Sequence, residues 1–177
     1  HMHLQAGRRD ILPIERDWKS YETMLEKLFP ILPEHEENME EILGRKSDCG
    51  LYLLKGYVCP VFVIRTIPAE QPCMLFDKLF RALPLYDGES EPRMNIICWR
   101  QSWNAGREDE IVTLIFPRKK HRPACYGNTG GENMLISPGA LDMGGLLITP
   151  REDDFRRLTA EQAAGILRVP DWGLPGN

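Results

Sequence analysis

The stretch from Leu51 to Arg65 constrains this chain more than any other. Leu51-Tyr52-Leu53-Leu54-Lys55-Gly56-Tyr57-Val58 and Val61-Phe62-Val63-Ile64-Arg65 are two short, nearly continuous apolar runs rich in aromatic and β-branched residues. Runs of that length with that composition read as strands, and the Lys55-Gly56 break between them reads as a hairpin signal. The period then changes. Leu75, Phe76, Leu79, Phe80 and Leu83 recur at three- and four-residue steps, with Pro68 and Pro72 before them and Pro84 after, so a helix is predicted between the prolines. Met94 to Trp99 and Glu110 to Phe116 are again strand-like, joined by the polar loop Gln101 to Asp109 and stopped at Pro117. Leu146-Leu147-Ile148 is one more expected strand. Thr159 with Gln162 three residues later is a capping-box pattern that starts a helix running to about Arg168. Strand, strand, helix, strand, strand, strand, helix predicts an α+β fold: an antiparallel sheet with flanking helices.

Upstream of this core the pattern differs. Residues 1–14 read as a strand, a tight turn at Gly7 and a second short apolar run, Ile11-Leu12-Pro13-Ile14. From Glu15 to Glu41 nine acids stand against Arg16, Lys19 and Lys27, which reads as a solvated face and connector. Trp18, Tyr21, Leu25, Leu28 and Phe29 keep helical spacing within it, up to Pro30 and Pro33. The expected organisation is therefore a strand segment 1–14, an acidic helical connector 15–47 and a main lobe 48–177. Because both hairpins and both helices lie between Cys49 and Arg168, that span is expected to fold without residues 1–14.

Composition excludes several classes. No run approaches the roughly 18 apolar residues of a membrane-spanning helix, and the first ten residues hold no apolar core of a cleavable signal. A formal net charge of −4 argues against bulk nucleic-acid binding. The five cysteines (Cys49, Cys59, Cys73, Cys98 and Cys125) form no Cys-x-x-Cys pair, which removes zinc ribbons and thioredoxin-like redox pairs. Most lie in apolar stretches and read as reduced core thiols of a cytoplasmic protein. Nothing in the residues demands a metal or a cofactor.

The residues with the most chemistry are His1-Met2-His3-Leu4-Gln5. Side chains alternate along a strand, so His1, His3 and Gln5 share one face. Two imidazoles and a carboxamide make poor core. An imidazole nitrogen is nucleophilic at neutral pH and forms a labile bond to phosphorus. A neighbouring histidine can fix its tautomer, and a carboxamide can donate to phosphoryl oxygens as charge develops there.

His1-x-His3-x-Gln5 resembles the active-site motif of the galactose-1-phosphate uridylyltransferase branch of the histidine-triad (HIT) superfamily. The segments 94–99, 111–118 and 137–147 look like the C-terminal lobe of nucleotide-sugar phosphorylases, nearest to the GDP-hexose (GDP-L-galactose type) phosphorylases, with the dinucleoside tetraphosphate phosphorylases next. The resemblance implies a HIT-like sheet, with His3 as nucleophile toward the α-phosphate of a nucleoside-diphosphate sugar, His1 as its orienting partner and Gln5 as stabiliser of the intermediate. It further implies a nucleotide or nucleotide sugar and phosphate as ligands, a homodimer, and a chain that holds the catalytic strand of an otherwise missing first lobe followed by a second HIT-like lobe. Such a form is expected to be weakly active or inactive. Histidine-triad hydrolases carry a third histidine where Gln5 stands, and an amide cannot donate a proton at neutral pH, so transfer is favoured over hydrolysis. Val112 to Phe116 echoes Met2 to Ala6, with Thr113 and Ile115 at the equivalents of catalytic positions, so the second lobe would lack a nucleophile. Two alternatives stay open: a non-catalytic ligand-binding or dimerisation lobe, and a HIT-type nucleotide hydrolase.

Arg118-Lys119-Lys120-His121-Arg122 places five cationic or titratable groups just after a strand. Guanidinium forks and ammonium point charges both suit phosphate, so the segment is the expected substrate-binding element; the competing reading is a solvated edge that discourages sheet pairing. Gly127 to Gly131 reads as a flexible loop, since no Lys-Ser/Thr pair follows. Asp142-Met143-Gly144-Gly145 precedes the last expected strand, where paired glycines permit close backbone approach.

Overall fold

A computed structural model describes residues 7, 8, 10–28, 50–66, 72–102, 109–127 and 133–168. The fold is α+β, with one five-stranded antiparallel sheet and several short helices. Two compact units divide it, one over Met24–Pro117 and one joining His1–Thr23 to Arg118–Asn177. This division falls inside the expected 48–177 lobe.

The unit Met24–Pro117 is the sheet. Strand β2 (Gly50–Leu54) pairs with β3 (Val61–Thr66), Leu54 opposite Val61 and Gly50 opposite Arg65. The hairpin is present as expected, but its connection spans 55–60, and Gly56 supplies the left-handed backbone at φ +75° that the turn requires. Strands β4 (Met94–Gln101) and β5 (Glu110–Pro117) form the second hairpin, and β5 inserts against β3 with Phe62 opposite Ile115. The spatial order is β2-β3-β5-β4, with a further short strand outside β2.

Strand β1 (Leu25–Lys27) lies where helical periodicity had extended the acidic helix. The apolar spacing at Leu25 and Leu28 is used differently: Leu25 stands opposite Leu54, and the Leu28 N–H donates to the Leu51 carbonyl. An open edge on β2 offers these residues ladder bonds, and tertiary pairing overrides local propensity. A salt bridge from Lys55 to Glu26 fastens the same edge. The expected helix between the prolines is present over Pro72–Ala82, with Pro72 at its start and Leu75 and Leu79 buried, and it packs on β3.

All six residues of β3 are buried, including Arg65. Register places Arg65 opposite Val112 and therefore diagonal to Glu110, on one face of the sheet. The guanidinium donates to both Glu110 carboxylate oxygens at 2.8–3.1 Å, and its carbon lies 5.8 Å from the Tyr52 ring centroid.

The second unit contains helices α1 (Pro13–Arg16) and α2 (Trp18–Glu22) and, later in the chain, Ala140–Met143, Glu152–Arg157 and Ala160–Leu167. Ile11-Leu12-Pro13-Ile14, the second short apolar run, leads into a helix rather than continuing the expected strand segment. Pro13 takes the first helical position, where its fixed φ and missing N–H cost nothing. The Ile14 N–H donates to the Gly144 carbonyl, Ile14 and Trp18 are buried, and the Pro13 ring lies so close to Gly145 that a Cβ there would meet it at 3.1 Å. Gly145 also has φ +99°, so the close approach expected of the paired glycines is real and is made to Pro13. These contacts correct the expectation that 49–168 is self-sufficient, because residues 12–18 supply part of this unit's core.

Leu146-Leu147-Ile148 is not a strand. Its donors are spent locally: the Leu146 N–H on the Leu141 carbonyl and the Ile148 N–H on Asp142 Oδ1 at 2.7 Å. The capping box at Thr159 forms as read, with the Thr159 N–H bonded to Gln162 Oε1 and the Gln162 N–H to Thr159 Oγ1. Among the described residues, no helix is long and apolar enough to cross a membrane.

Two outcomes test this packing. Removing one partner of a buried charge pair is expected to cost about 3–5 kcal/mol, whereas replacing both by apolar groups is near neutral. Arg65→Met should therefore lower the unfolding free energy in urea titrations by that amount, and Arg65→Met with Glu110→Leu should recover most of it. Ile14→Ala should cost about 2–5 kcal/mol by the same measurement, the range for emptying a fully buried aliphatic site.

Candidate functional site

His1, His3 and Gln5 lie outside the described residues, as do Cys49 and residues 128–132 of the glycine-rich loop.

Arg118 directly follows β5 and is half-buried. Its guanidinium donates to two backbone carbonyls, those of Pro138 at 2.5 Å and His121 at 2.6 Å. It thereby closes the turn 118–121 and ties it to the 137–139 segment. Lys119, Lys120, His121 and Arg122 are exposed. Arg122 stacks over the Tyr126 ring at 4.2 Å from its centroid, and among the described residues no carboxylate pairs with Lys120 or Arg122. The five groups read as one phosphate-binding cluster thus divide: Arg118 braces the backbone, and Arg122 rests on an aromatic platform.

Beside this turn lies a cavity of about 380 Å³, lined among others by Tyr126, Leu135, Ser137, Leu141, Asp142 and Ile148. Its walls are largely apolar and its volume falls within the range of small-molecule sites. Asp142 is a buried lining residue, with Oδ2 accepting from the Gly139 N–H at 2.8 Å and Oδ1 from the Ile148 N–H. A single carboxylate ties two lining segments together in place of a sheet ladder.

Asp154 performs the same service behind the wall. It has no exposed surface, accepts from the Leu135 N–H at 2.9 Å, and is gripped by Arg151 and Arg157 at 2.6–3.2 Å. Both arginines also donate to the Asn133 carbonyl. The Arg151 hydrogen bonds chiefly, then those from the Leu135 N–H and Arg157, hold the Asp154 carboxyl far below the ordinary carboxylate range against the opposing effect of burial. The carboxylate is covered, yet the two guanidiniums over it reach water, so the knot lies just beneath the surface. Next to it, the Gly127 N–H donates to Asn133 Oδ1 and the Met134 N–H to the Cys125 carbonyl. The Gly127 amide is thereby engaged within the protein.

The cysteines divide as well. Cys59 is buried, and burial pushes its thiol up to about 12; burial likewise raises Cys125. Both stay protonated at neutral pH and are inert as nucleophiles. Cys98 departs from the core reading, since it is exposed on β4, where its sulfur accepts a 3.5 Å hydrogen bond from Thr113 Oγ1. Among the described residues, no cluster of three or more His, Cys, Asp or Glu is arranged to hold a metal ion.

Sequence reasoning missed Tyr126 and Asp154. The pattern Arg151-Glu152-Asp153-Asp154-Phe155-Arg156-Arg157 carries the signal, since acids and arginines recur three apart, but it does not say which acid turns inward. No family model, curated protein or solved structure matches this chain.

The Asp154 knot makes stability depend on pH with a definite sign. A carboxyl whose folded pKa is depressed stabilises fully above its unfolded value, about 3.9, and loses that contribution as pH falls below it toward the folded value. Asp154→Asn should lower Tm at pH 7, and the gap from the parent protein should narrow as pH drops below about 4. A gap that stays constant with pH would show that the charge of Asp154 is not what holds the knot.

Proposed function

We propose that this chain belongs to the histidine-triad-like nucleotidyltransferases and acts on a nucleoside-diphosphate sugar through a covalent nucleotidyl-histidine, as a cytoplasmic homodimer. The observation that carries the proposal is the pattern His1-x-His3-x-Gln5. An antiparallel α+β sheet supports it as the compatible architecture, and the exposed cationic residues after β5 support it as a place for phosphate.

In this reading His3 attacks the α-phosphorus, and a nitrogen–phosphorus bond replaces the bond to the bridging oxygen. The sugar phosphate leaves with that oxygen and its electron pair. An oxygen of inorganic phosphate or of another phosphorylated acceptor then attacks the same phosphorus, and the imidazole departs with the electron pair of the broken bond. His1 holds the His3 tautomer, and the Gln5 amide donates to the non-bridging oxygens where charge develops. Because Gln5 offers no titratable proton, water is not assisted as an acceptor.

The test is intermediate trapping in the full natural length of the protein, with nucleotide sugar labelled at the α-phosphate. An alkali-stable, acid-labile adduct is expected on His3 and is expected to vanish in His3→Ala, together with transfer. Gln5→His should slow transfer and raise the share of hydrolysis. Undiminished transfer in His3→Ala overturns the assignment.

A further inference from the structure

We propose that the cavity beside the cationic turn is a binding site for a small anion with a flat apolar body, and that Arg122 reads its negative charge. The proposal rests on reading 118–122 as an anion-holding segment; it does not depend on the histidine chemistry.

Three observations converge on it. First, the cavity and the turn are one built structure. Arg118 donates to the carbonyl of Pro138, whose chain neighbours Ser137 and Gly139 both line the cavity. Arg122 stacks on Tyr126, another lining residue. Second, Arg122 carries a charge that nothing on the described chain neutralises. Its face is occupied by the Tyr126 ring, and no carboxylate of the described residues pairs with it. A guanidinium held on an aromatic face keeps its edge N–H donors for a ligand and is pre-organised for the planar fork that carboxylate and phosphate accept. Third, the cavity interior favours an apolar guest of limited size. Leu135, Leu141 and Ile148 supply the walls, and about 380 Å³ accommodates a single ring with a short substituent.

Asp142 sets the orientation. Both of its oxygens already accept backbone N–H groups, from Gly139 and Ile148, so it has no need of a ligand donor. Its negative charge, on the buried side of the lining, repels an anionic group. The charged end of the ligand is therefore held toward Arg122, which sits on the Tyr126 ring, and the apolar end goes in. Neither inorganic phosphate nor a neutral ring alone satisfies both ends.

Phenyl phosphate is the probe, titrated into the whole protein and followed by the amide shifts of isotopically labelled protein at low ionic strength. The expected result is saturable binding that moves residues 126, 135–142 and 148, with inorganic phosphate and phenol each at least about tenfold weaker. Arg122→Gln should weaken phenyl phosphate about tenfold or more, in line with loss of a charge-assisted bond, and Arg122→Lys should recover only part, because an ammonium lacks the fork. Ile148 is half exposed, so Ile148→Asp should fold and, by placing a second negative charge on the wall, abolish binding, whereas Ile148→Asn, which loses only the apolar contact, should weaken it less. His3→Ala should bind phenyl phosphate as the parent does, which separates this site from the transfer reaction. Phenyl phosphate binding no better than inorganic phosphate, unchanged affinity in Arg122→Gln, or shifts confined to other residues would each overturn the proposal.

Discussion

The sheet unit is organised around one costly arrangement, a strand with no exposed face that nevertheless carries a charge. Every position of β3 is buried, and Arg65 is among them. A lone guanidinium in that place would forfeit several kcal/mol of hydration. Glu110 offsets this only because β5 pairs with β3 in one register, the one that sets Arg65 opposite Val112 and diagonal to the carboxylate. A slip of one residue would send the two side chains to opposite faces. The pair therefore ties the order β2-β3-β5 to a single alignment, with every neighbouring strand inheriting that alignment.

Among the described residues of the other unit there is no sheet, and buried carboxylates take over the work of a ladder. Asp142 accepts the N–H groups of Gly139 and Ile148, and Asp154 accepts the N–H of Leu135 while two arginines cover it. Irregular backbone can be buried only if its polar groups find partners. A carboxylate accepts several donors at once, so one acid fixes two chain segments that a strand would have to run alongside. The cavity exists between segments secured in this way.

Legibility followed the same division. Where regular hydrogen bonding decides the structure, periodicity and punctuation were sufficient: both hairpins, the helix from Pro72 and the Thr159 capping box all lie where their residues place them. Where side chains replace the ladder, periodicity misled. Leu146-Leu147-Ile148 has strand composition, yet Asp142 claims the donor a strand would have used. Leu25 and Leu28 keep helical spacing, yet the free edge of β2 offered them better bonds. Neither competitor is visible locally, since each depends on residues more than a turn away in sequence or on another strand. Of the site, the cationic run was legible as charge but not as a division of labour. Only the fold distinguishes Arg118, spent on two carbonyls, from Arg122, set on a ring.

That division bears on how a short cationic run can be selective at all. Five mobile side chains in water would attract any anion weakly and hold none in one geometry, because each must give up rotamer freedom and solvent on binding. Here one of the five has already been committed to the backbone. Arg118 fixes the turn against the 137–139 segment, and Tyr126 gives Arg122 a surface that limits where its guanidinium can go. The ordering cost is thus met in folding and need not be met again in binding. On the proposal made above, a charge restrained beside an apolar hollow would discriminate by shape as well as by sign, Arg118 acting through the backbone it braces and Tyr126 both as the platform of Arg122 and as part of the hollow's lining.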